Sequence, residues 1–379
     1  MTVRILLGAI VVSGITTFMF YPLITLELIN RHENAVAVGV ILGLLSGVGR
    51  IASTFIGMVN AQWGARPVAI GGLILRSLGL SVFAFNAGTE IYALGAAVAS
   101  IGSNATALAI KTELMRASMS RKTITLRSIM INLGALVGPS LGGIVYLYAS
   151  FATIVVAVAI SYIFLALSLC LITFHPPENR LTSNAKKMGL FSMNRSFALL
   201  SGCIFCYWAL YAMWPLAVPI LAEQAFSTPI ASSWIYTGNA LLILALQYVV
   251  LVRLLKDTAV IRVLCLGFVN FIVAFIVLVG PSLSIAIILF ATFFSIGEML
   301  VSPTLDEVTA RLQGLGMGMA KSFGLTGTIA GLASICASPI GGFLVQKSGD
   351  ASGVLWLGIP LALMGLVSTL ALGRREKML

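Results

Sequence analysis

The chain has 379 residues, of which 59% are hydrophobic and only 9% are Asp, Glu, Lys or Arg. Soluble globular domains carry about 25% charged residues, so this composition excludes a soluble protein and predicts a polytopic membrane protein. The formal net charge of +11 does not indicate nucleic-acid binding, because the basic residues are spread over short connections rather than gathered in one basic patch.

Twelve apolar segments follow one another along the chain, and each is long enough to cross a hydrocarbon core about 30 Å thick. They predict an all-α polytopic membrane protein with twelve transmembrane helices. The first segment is too long for the apolar region of a signal peptide and lacks a convincing cleavage site, so we expect it to be retained. The segments begin near Arg4, Val36, Pro67, Ile91, Ile124, Phe151, Phe197, Ser232, Arg262, Ser284, Ser322 and Val354.

The basic residues predict the orientation, since cytoplasmic loops of membrane proteins carry an excess of Lys and Arg. With a cytoplasmic N-terminus, 19 of the 23 basic residues lie on or near the cytoplasmic side. Arg31 and Lys347 then lie outside, while Arg50 and Arg76 lie within the membrane. We therefore expect both termini in the cytoplasm.

The middle of the chain predicts a division into two halves. Residues 175–196 form the longest polar stretch, with two adjacent prolines and two adjacent lysines, and predict a cytoplasmic linker between residues 1–174 and 197–379. Similar short sequence motifs recur on both sides of it: the motif that begins at Tyr21 (Tyr-Pro-Leu) matches the motif that begins at Trp214 (Trp-Pro-Leu). Two parallel-related bundles of six helices explain such a repeat.

Four glycines and a proline interrupt the fifth segment, in the order Gly134, Gly138, Pro139, Gly142 and Gly143. Three of the glycines recur every fourth residue and form a bare stripe that another helix can approach closely. The proline kinks the helix beside this stripe. The run resembles the antiporter motif of the major facilitator superfamily. The alternative is a generic contact between small residues of two membrane helices.

That resemblance implies a major facilitator fold of two pseudo-symmetric six-helix bundles, in which this motif seals the halves against each other and is typical of proton-coupled exporters. A second family signature, between segments 2 and 3, is incomplete. Gly57, Gly64 and Arg66 fit it, but Ala61 and Gln62 stand where an acid and a base are usual. The resemblance thus implies a different cytoplasmic latch, for which Glu113 is a candidate by location.

Glu298 is the clearest ionisable residue within the membrane, about 21 Å along the tenth segment from Ser284. Buried charges are costly there and mark functional sites by default. A carboxyl group so placed suits proton coupling, with Glu113 as a second candidate; the alternative is a structural carboxylate paired with a neighbouring arginine. Arg50 is the better candidate for substrate binding, because Arg76 lies on a segment that is peripheral in this fold.

An aromatic face of the seventh segment predicts the substrate cavity. Tyr207, Tyr211 and Trp214 are spaced by four and then three residues and share one helix face. The resemblance implies that segments 1, 4, 7 and 10 line a central cavity, where such rings bind flat or apolar compounds. The alternative is a stripe that faces lipid or neighbouring helices. Further candidates for substrate contact are Tyr21, Asn104 and Asn239.

Enzyme motifs occur only by coincidence. The run from Gly138 to Gly142 spells Gly-x-Ser-x-Gly, but its serine lies in a membrane helix without a histidine base. Cys203 and Cys206 lack a second ligand pair for a metal, and all five cysteines lie in apolar segments, so we expect free thiols. No phosphate-binding glycine-rich loop is present. The sequence therefore predicts neither a cofactor nor a metal, and no enzymatic activity.

The pattern as a whole resembles the bacterial twelve-helix drug:proton antiporter branch. It predicts a monomeric, multi-pass inner-membrane transporter that exports a small organic molecule by alternating access in exchange for protons. Its partners are the substrate, protons and the lipid bilayer. One alternative is an exporter of an anionic metabolite or siderophore, which is favoured if Arg50 faces the cavity. Another, from a different class, is a receptor or scaffold that transports nothing.

Overall fold

The computed structural model describes residues 2–117, 121–175, 195–280, 282–312, 319–349 and 351–375. Within these ranges all regular secondary structure is helical, as the sequence predicts. The α-helices of these ranges are α1 Thr2–Asn30, α2 Ala35–Ile51, α3 Ser53–Trp63, α4 Ala65–Ser81, α5 Thr89–Ala117, α6 Arg121–Tyr148, α7 Phe151–Cys170, α8 Arg195–Phe226, α9 Ala231–Tyr248, α10 Val260–Ile276, α11 Leu283–Leu312, α12 Met319–Ser348 and α13 Leu355–Arg375.

Eleven of the described helices are long and apolar enough to cross a membrane. The pair α2 and α3 meets the same test together and is bent by 49° at a break. If this pair is one span, the number of spans is twelve, and α4 to α13 are the third to twelfth segments of the sequence. The predicted number and order of segments are therefore confirmed.

Polar residues at the helix ends satisfy backbone groups that the helices leave unpaired. The Asn34 side chain accepts a hydrogen bond from the backbone N–H of Ala37 at 2.9 Å and caps α2. Ser150 caps α7 in the same way by accepting from Thr153 at 3.2 Å. Gly64 joins α3 to α4 with a φ of 88°, a conformation that residues with a Cβ rarely adopt. These caps and turns allow successive spans to run in opposite directions.

The alternating spans define two ends of the bundle. We call the end at which α1 begins and α13 ends the terminal face, and the other end the opposite face. The first half, α1 to α7, and the second half, α8 to α13, each contribute six spans. Most of the predicted linker, residues 176–194, lies outside the described residues, so its boundaries stay a prediction.

Two helix pairs make the most extensive contacts between the halves: α2 packs along α12, and α6 packs against α9. Glycines bring α2 and α12 into backbone contact. A Cβ on Gly39 would lie 2.3 Å from the carbonyl oxygen of Ser338, and one on Gly342 would lie 2.1 Å from that of Ala35. One on Gly47 would lie 2.6 Å from the carbonyl oxygen of Gly331 of α12. These contacts leave no room for a Cβ at Gly39, Gly47 or Gly342.

The glycine stripe of the antiporter motif has a different partner from the one that the resemblance implies. Gly134, Gly138 and Gly142 all pack on α1, within the first half. Their partners there are Gly14, Ile15 and Met19, and the close contacts are to backbone atoms. A helical repeat of four residues fixes only which residues share a face, and α1 lies on this one.

The contact of this motif across the halves is made from the neighbouring face of α6. Gly143 lies against Ile230 and Ser233, at the beginning of α9. One turn away, the Ser140 hydroxyl is 2.9 Å from the Thr237 hydroxyl of α9. The proposed sealing role of the motif therefore depends on Gly143, while Gly134, Gly138 and Gly142 hold α6 to α1.

Candidate functional site

A central cavity of about 310 Å³ lies between the two halves. Helices α1, α2, α4, α5, α8, α9 and α12 all contribute to its wall. Its lining residues are Thr17, Phe18, Tyr21, Leu45, Ser46, Arg50, Arg76, Ser100, Ser103, Asn104, Ala107, Trp208, Tyr211, Ala212, Trp214, Pro215, Tyr236 and Ser334. The structure thus brings five of the residues predicted to bind substrate into one chamber: Tyr21, Arg50, Asn104, Tyr211 and Trp214.

A second cavity of about 330 Å³ shares Arg50, Asn104 and Trp208 with the first and extends toward the terminal face. Tyr207, also predicted to bind substrate, lines this cavity. Its other lining residues are Ser53, Ile204, Ser302, Leu305, Asp306, Thr309, Thr326, Gly327 and Ala330. The two cavities are therefore neighbours, and the second lies on the side of the terminal face.

The aromatic face of α8 lies inside the protein. Tyr207 is 2% exposed and Trp214 is 5% exposed. Trp214 packs against three further rings of the second half: Phe294 at a centroid distance of 4.8 Å, Tyr236 at 5.7 Å and Phe290 at 5.9 Å. The face is therefore directed at the cavities and at neighbouring helices rather than at lipid.

Arg50 is one of two arginines in the described wall of the central cavity. Its guanidinium carbon lies 3.6 Å above the ring of Trp208, a cation–π contact between the two halves. Its Nη1 atom is buried and has no hydrogen-bond partner among the described residues. Sequence reasoning missed Trp208, although its spacing of three residues from Tyr211 places both on adjoining parts of one helix face.

Arg50 belongs to the last turn of α2, directly before the break at Ala52. The Asn104 amide of α5 donates hydrogen bonds to the Gly49 carbonyl at 2.7 Å and to the Ser53 hydroxyl at 2.9 Å. The Ser100 hydroxyl accepts from the Gly49 N–H at 2.9 Å. These bonds satisfy backbone groups at the break. Asn104 therefore holds the α2–α3 joint as well as lining the cavities.

Arg76 is tied to the first half. It is 7% exposed, and it donates to the Thr17 hydroxyl at 2.8 Å and to the Ser13 hydroxyl at 3.3 Å. Its guanidinium carbon lies 4.6 Å above the Tyr162 ring. These contacts join α4 to α1 and α7. Arg76 thus has the structural contacts that the sequence favours, and one side of it also lines the central cavity.

Glu298 of α11 accepts a hydrogen bond from the Asn239 amide of α9 at 3.2 Å. The same amide nitrogen donates to the Ser295 hydroxyl at 2.7 Å. No ion pair joins Glu298 to a Lys or Arg among the residues that the structure describes. Neither Glu298 nor Asn239 lines the two cavities, but Ser302, one turn along α11, does. Asn239, predicted to contact substrate, is instead the partner of Glu298.

Glu113, the second candidate for proton coupling, lies near the terminal end of α5 and is fully buried. Its Oε1 atom accepts from the backbone N–H of His175 at 3.0 Å and lies 2.8 Å from the Nδ1 atom of that residue. Glu113 thus anchors the chain where it leaves α7, and it does not line either cavity.

Charges of opposite sign from the two halves interact near the terminal face, where Asp306 lines the second cavity. Asp306 of α11 is within electrostatic range of Lys111 of α5 and of Arg127 of α6. The acid lies in the second half and both bases lie in the first, so this attraction acts between the halves at the terminal face.

The incomplete signature between α3 and α4 makes contacts within the first half. Arg66 donates to the Cys170 carbonyl at the end of α7. Gly57 is next to Leu108 of α5, and Gly64 forms the turn. Ala61 and Gln62, at the positions of the usual acid and base, are exposed. Among the described residues, no ion pair joins this signature to the second half.

The two-bundle helical fold and its central cavity define a membrane transporter. A family model described as Major Facilitator Superfamily matches residues 6–321. The match spans most of the sequence, and the chain therefore belongs to the major facilitator superfamily. It is a multi-pass membrane protein of that family.

Similar curated proteins are named multidrug resistance protein MdtH. The one from Aeromonas salmonicida (strain A449) is 24% identical over 377 residues, which cover 94% of this chain and 89% of that protein. The one from Proteus mirabilis (strain HI4320) is 26% identical over 316 residues, which cover 80% of this chain and 78% of that protein. A crystal structure of a mutant nucleoside transporter NupG matches with a TM-score of 0.76 and 15% identity over 97% of this chain and 99% of that one. This last likeness shows the fold alone.

Proposed function

We propose that the protein is a secondary transporter that exports a small organic molecule through the central cavity by alternating access, in exchange for protons. The observation that carries this proposal is the cavity itself. It lies between the halves, is bounded toward the opposite face by the glycine contacts of α2 and α12, and continues toward the terminal face. The names of the curated relatives support export of small organic compounds.

The excess of Lys and Arg on the terminal face supports a cytoplasmic location for that face and for both termini, and thus a bacterial inner membrane. The substrate then enters from the cytoplasm. The cavity is complete within one chain, which supports a monomer as the transporting unit.

Glu298 is the proton-coupling group of this proposal. It is the carboxyl group of α11 at membrane depth, it has a neutral amide partner and it has no described basic partner. A carboxyl group that is not held in an ion pair is able to take up and release a proton as its surroundings change. Asn239 connects its state to α9, whose first residues lie at the contact between the halves.

Replacement of Glu298 by Gln tests the coupling. The amide keeps the size of the side chain but does not titrate, so we expect at least a tenfold loss of uptake driven by a pH gradient in everted vesicles. Counterflow of substrate without a gradient should persist. Glu90→Gln, at an exposed glutamate of the opposite face, is the matched control and should change neither.

The two readouts separate the possible outcomes. Full gradient-driven uptake in Glu298→Gln rules out this residue as the coupling group, and the same assay on Glu113→Gln then tests the second candidate. Absence of counterflow and of gradient-driven uptake in the wild-type protein, for a panel of compounds that it binds, contradicts transport and favours a receptor.

A further inference from the structure

Two polar atoms in the wall of the central cavity are buried and lack hydrogen-bond partners among the described residues. They are the Nη1 atom of Arg50 and the hydroxyl oxygen of Tyr236. Both residues line the same cavity, Arg50 from the first half and Tyr236 from the second. Leaving a buried donor unpaired costs about 1–3 kcal/mol, and more when the group is charged. Two such donors in one chamber indicate a ligand that supplies acceptors.

The charges around the cavity have one sign. Its described wall holds Arg50 and Arg76 and contains no carboxylate. Two acids of α11 interact with other groups: Glu298 accepts from Asn239 outside this wall, and Asp306 lines the second cavity and is attracted by Lys111 and Arg127. Arg50 as a whole is partly buried, but its buried Nη1 atom has no described counter-charge, which is unfavourable. An anion that enters this cavity therefore relieves an existing cost.

Trp208 determines which side of the Arg50 guanidinium is open to a ligand. The ring covers one face of the guanidinium, with 3.6 Å between the guanidinium carbon and the ring centroid. Stacking leaves the N–H groups in the guanidinium plane, which is the geometry that carboxylates and other oxyanions recognise. Arg76 is different, because its nitrogens already donate to the hydroxyls of Thr17 and Ser13. Arg50 is thus the cation that is available for a ligand.

We infer that the central cavity selects organic anions: an oxyanion group binds Arg50 with help from the Tyr236 hydroxyl, and a flat apolar body lies among the aromatic rings. This inference rests on the proposed function and names its substrate class. A volume of about 310 Å³ is at the lower end of the usual range for ligand pockets. The expected substrates are accordingly small, with one or two rings and a single carboxylate or sulfonate.

Equilibrium binding to the purified full-length protein tests this inference. The probes are 2-naphthoate, its neutral isostere 2-naphthamide and the cation 2-naphthyltrimethylammonium, titrated by calorimetry. A charge-assisted hydrogen bond contributes about 1.5–3 kcal/mol, so we expect the carboxylate to bind at least about tenfold more tightly than the amide. Arg50→Gln should abolish this preference, because the carboxylate then loses its cationic partner.

Two control variants distinguish the effect of the Arg50 charge from an effect on protein stability. Arg253→Gln removes an exposed arginine that lies 6.0 Å from the Tyr248 ring outside the cavities, and it should keep the wild-type preference. Tyr236→Phe removes only the second donor. It should weaken binding of the carboxylate by a smaller factor than Arg50→Gln does. The comparison of the three probes on the wild-type protein needs no variant, so a misfolded Arg50 variant does not decide the result.

Three results would each overturn the inference. They are equal affinity for the carboxylate and the amide, tighter binding of the cation than of the carboxylate, and no saturable binding of the carboxylate. None of these results bears on transport, which counterflow measures separately. A protein that moves neutral compounds without a preference for anions keeps the proposed function and loses this inference. A protein that binds the carboxylate but moves nothing keeps the anion site and loses the proposed function.

Discussion

The two ends of the contact between the halves are built from different interactions. Next to the opposite face, glycines bring the backbones of α2 and α12 together without any described charge between them. Toward the terminal face the same contact loosens, because a Cβ on Gly327 would meet Ser53 only at 3.6 Å. There Asp306 of the second half is within electrostatic range of the bases Lys111 and Arg127 of the first half. One end is held by close packing and the other by attraction at a distance.

This difference shows which interactions have to change during transport. Close contacts between small residues depend on shape and lose about a quarter to a half of their energy when a gap of about 0.5–1 Å opens. Opposite charges attract over several ångströms of water, and salt weakens that attraction. Steric substitutions should therefore act on the opposite face, while changes of charge and ionic strength should act on the terminal face.

The largest effect is expected from Gly39→Leu, which breaks the packed end. Its Cβ would overlap the Ser338 carbonyl, at 2.3 Å, and a backbone atom has little room to move. The halves then separate at the opposite face, so we expect transport to fall more than tenfold while the protein still inserts. Gly71→Leu is the control, because a Cβ on Gly71 meets nothing within 4 Å. Normal transport by a well-expressed Gly39→Leu protein would contradict a sealing role for this contact.

Sequence reasoning found the helices of this interface but not their partners. Segment length and apolar character are local properties, so the twelve spans were predictable. The partner of a glycine stripe is not local: α2 carries glycines four residues apart, as α6 does, yet only the α2 stripe crosses to the second half. Spacing alone does not distinguish the two.

In the candidate site too, sequence reasoning found local features but not the contacts between distant residues. The carboxyl group of Glu298 and the aromatic face of α8 could be found from charge and helical periodicity. The stacking of Arg50 on Trp208 and the hydrogen bond of Asn239 to Glu298 could not, because each joins residues far apart in the chain. Such pairs depend on how the helices are arranged around the cavity.

An intermediate effect is expected where a single hydrogen bond crosses the packed end. Pro219 has no N–H and cannot donate to the Pro215 carbonyl one turn earlier in α8. The buried Thr25 hydroxyl of α1 donates to this carbonyl at 2.5 Å. Thr25→Val removes the bond at nearly constant volume. Membrane helix hydrogen bonds contribute about 0.6–2 kcal/mol, so we expect about a fivefold shift toward opening at the opposite face.

Spin labels at Asn86 and Ser282, both exposed on the opposite face, measure this shift in a background without the native cysteines. Thr16→Val is the matched control. The Thr16 hydroxyl donates to Val12 within its own helix, at 2.9 Å, and among the described residues it bonds to no other helix. An unchanged distance distribution in Thr25→Val would assign the closure to glycine packing alone.

The smallest effect is expected from Asp306→Asn at the terminal face, and its signature is a change in salt dependence. Asp306 is exposed, and exposed ion pairs contribute about 0–1 kcal/mol, so the equilibrium should shift less than about fivefold toward an open terminal face. In the wild-type protein, labels at the exposed Gln62 and Ala259 should separate as ionic strength rises from about 0.05 to about 0.5 M, because the Debye length shortens from over 10 Å to a few ångströms. Asp306→Asn should start more open and lose this response. Asp257→Asn, which neutralises another exposed aspartate of the same face, should keep it. If both variants respond to salt as the wild-type protein does, attraction by Asp306 does not close this end, and the terminal face too must close by packing.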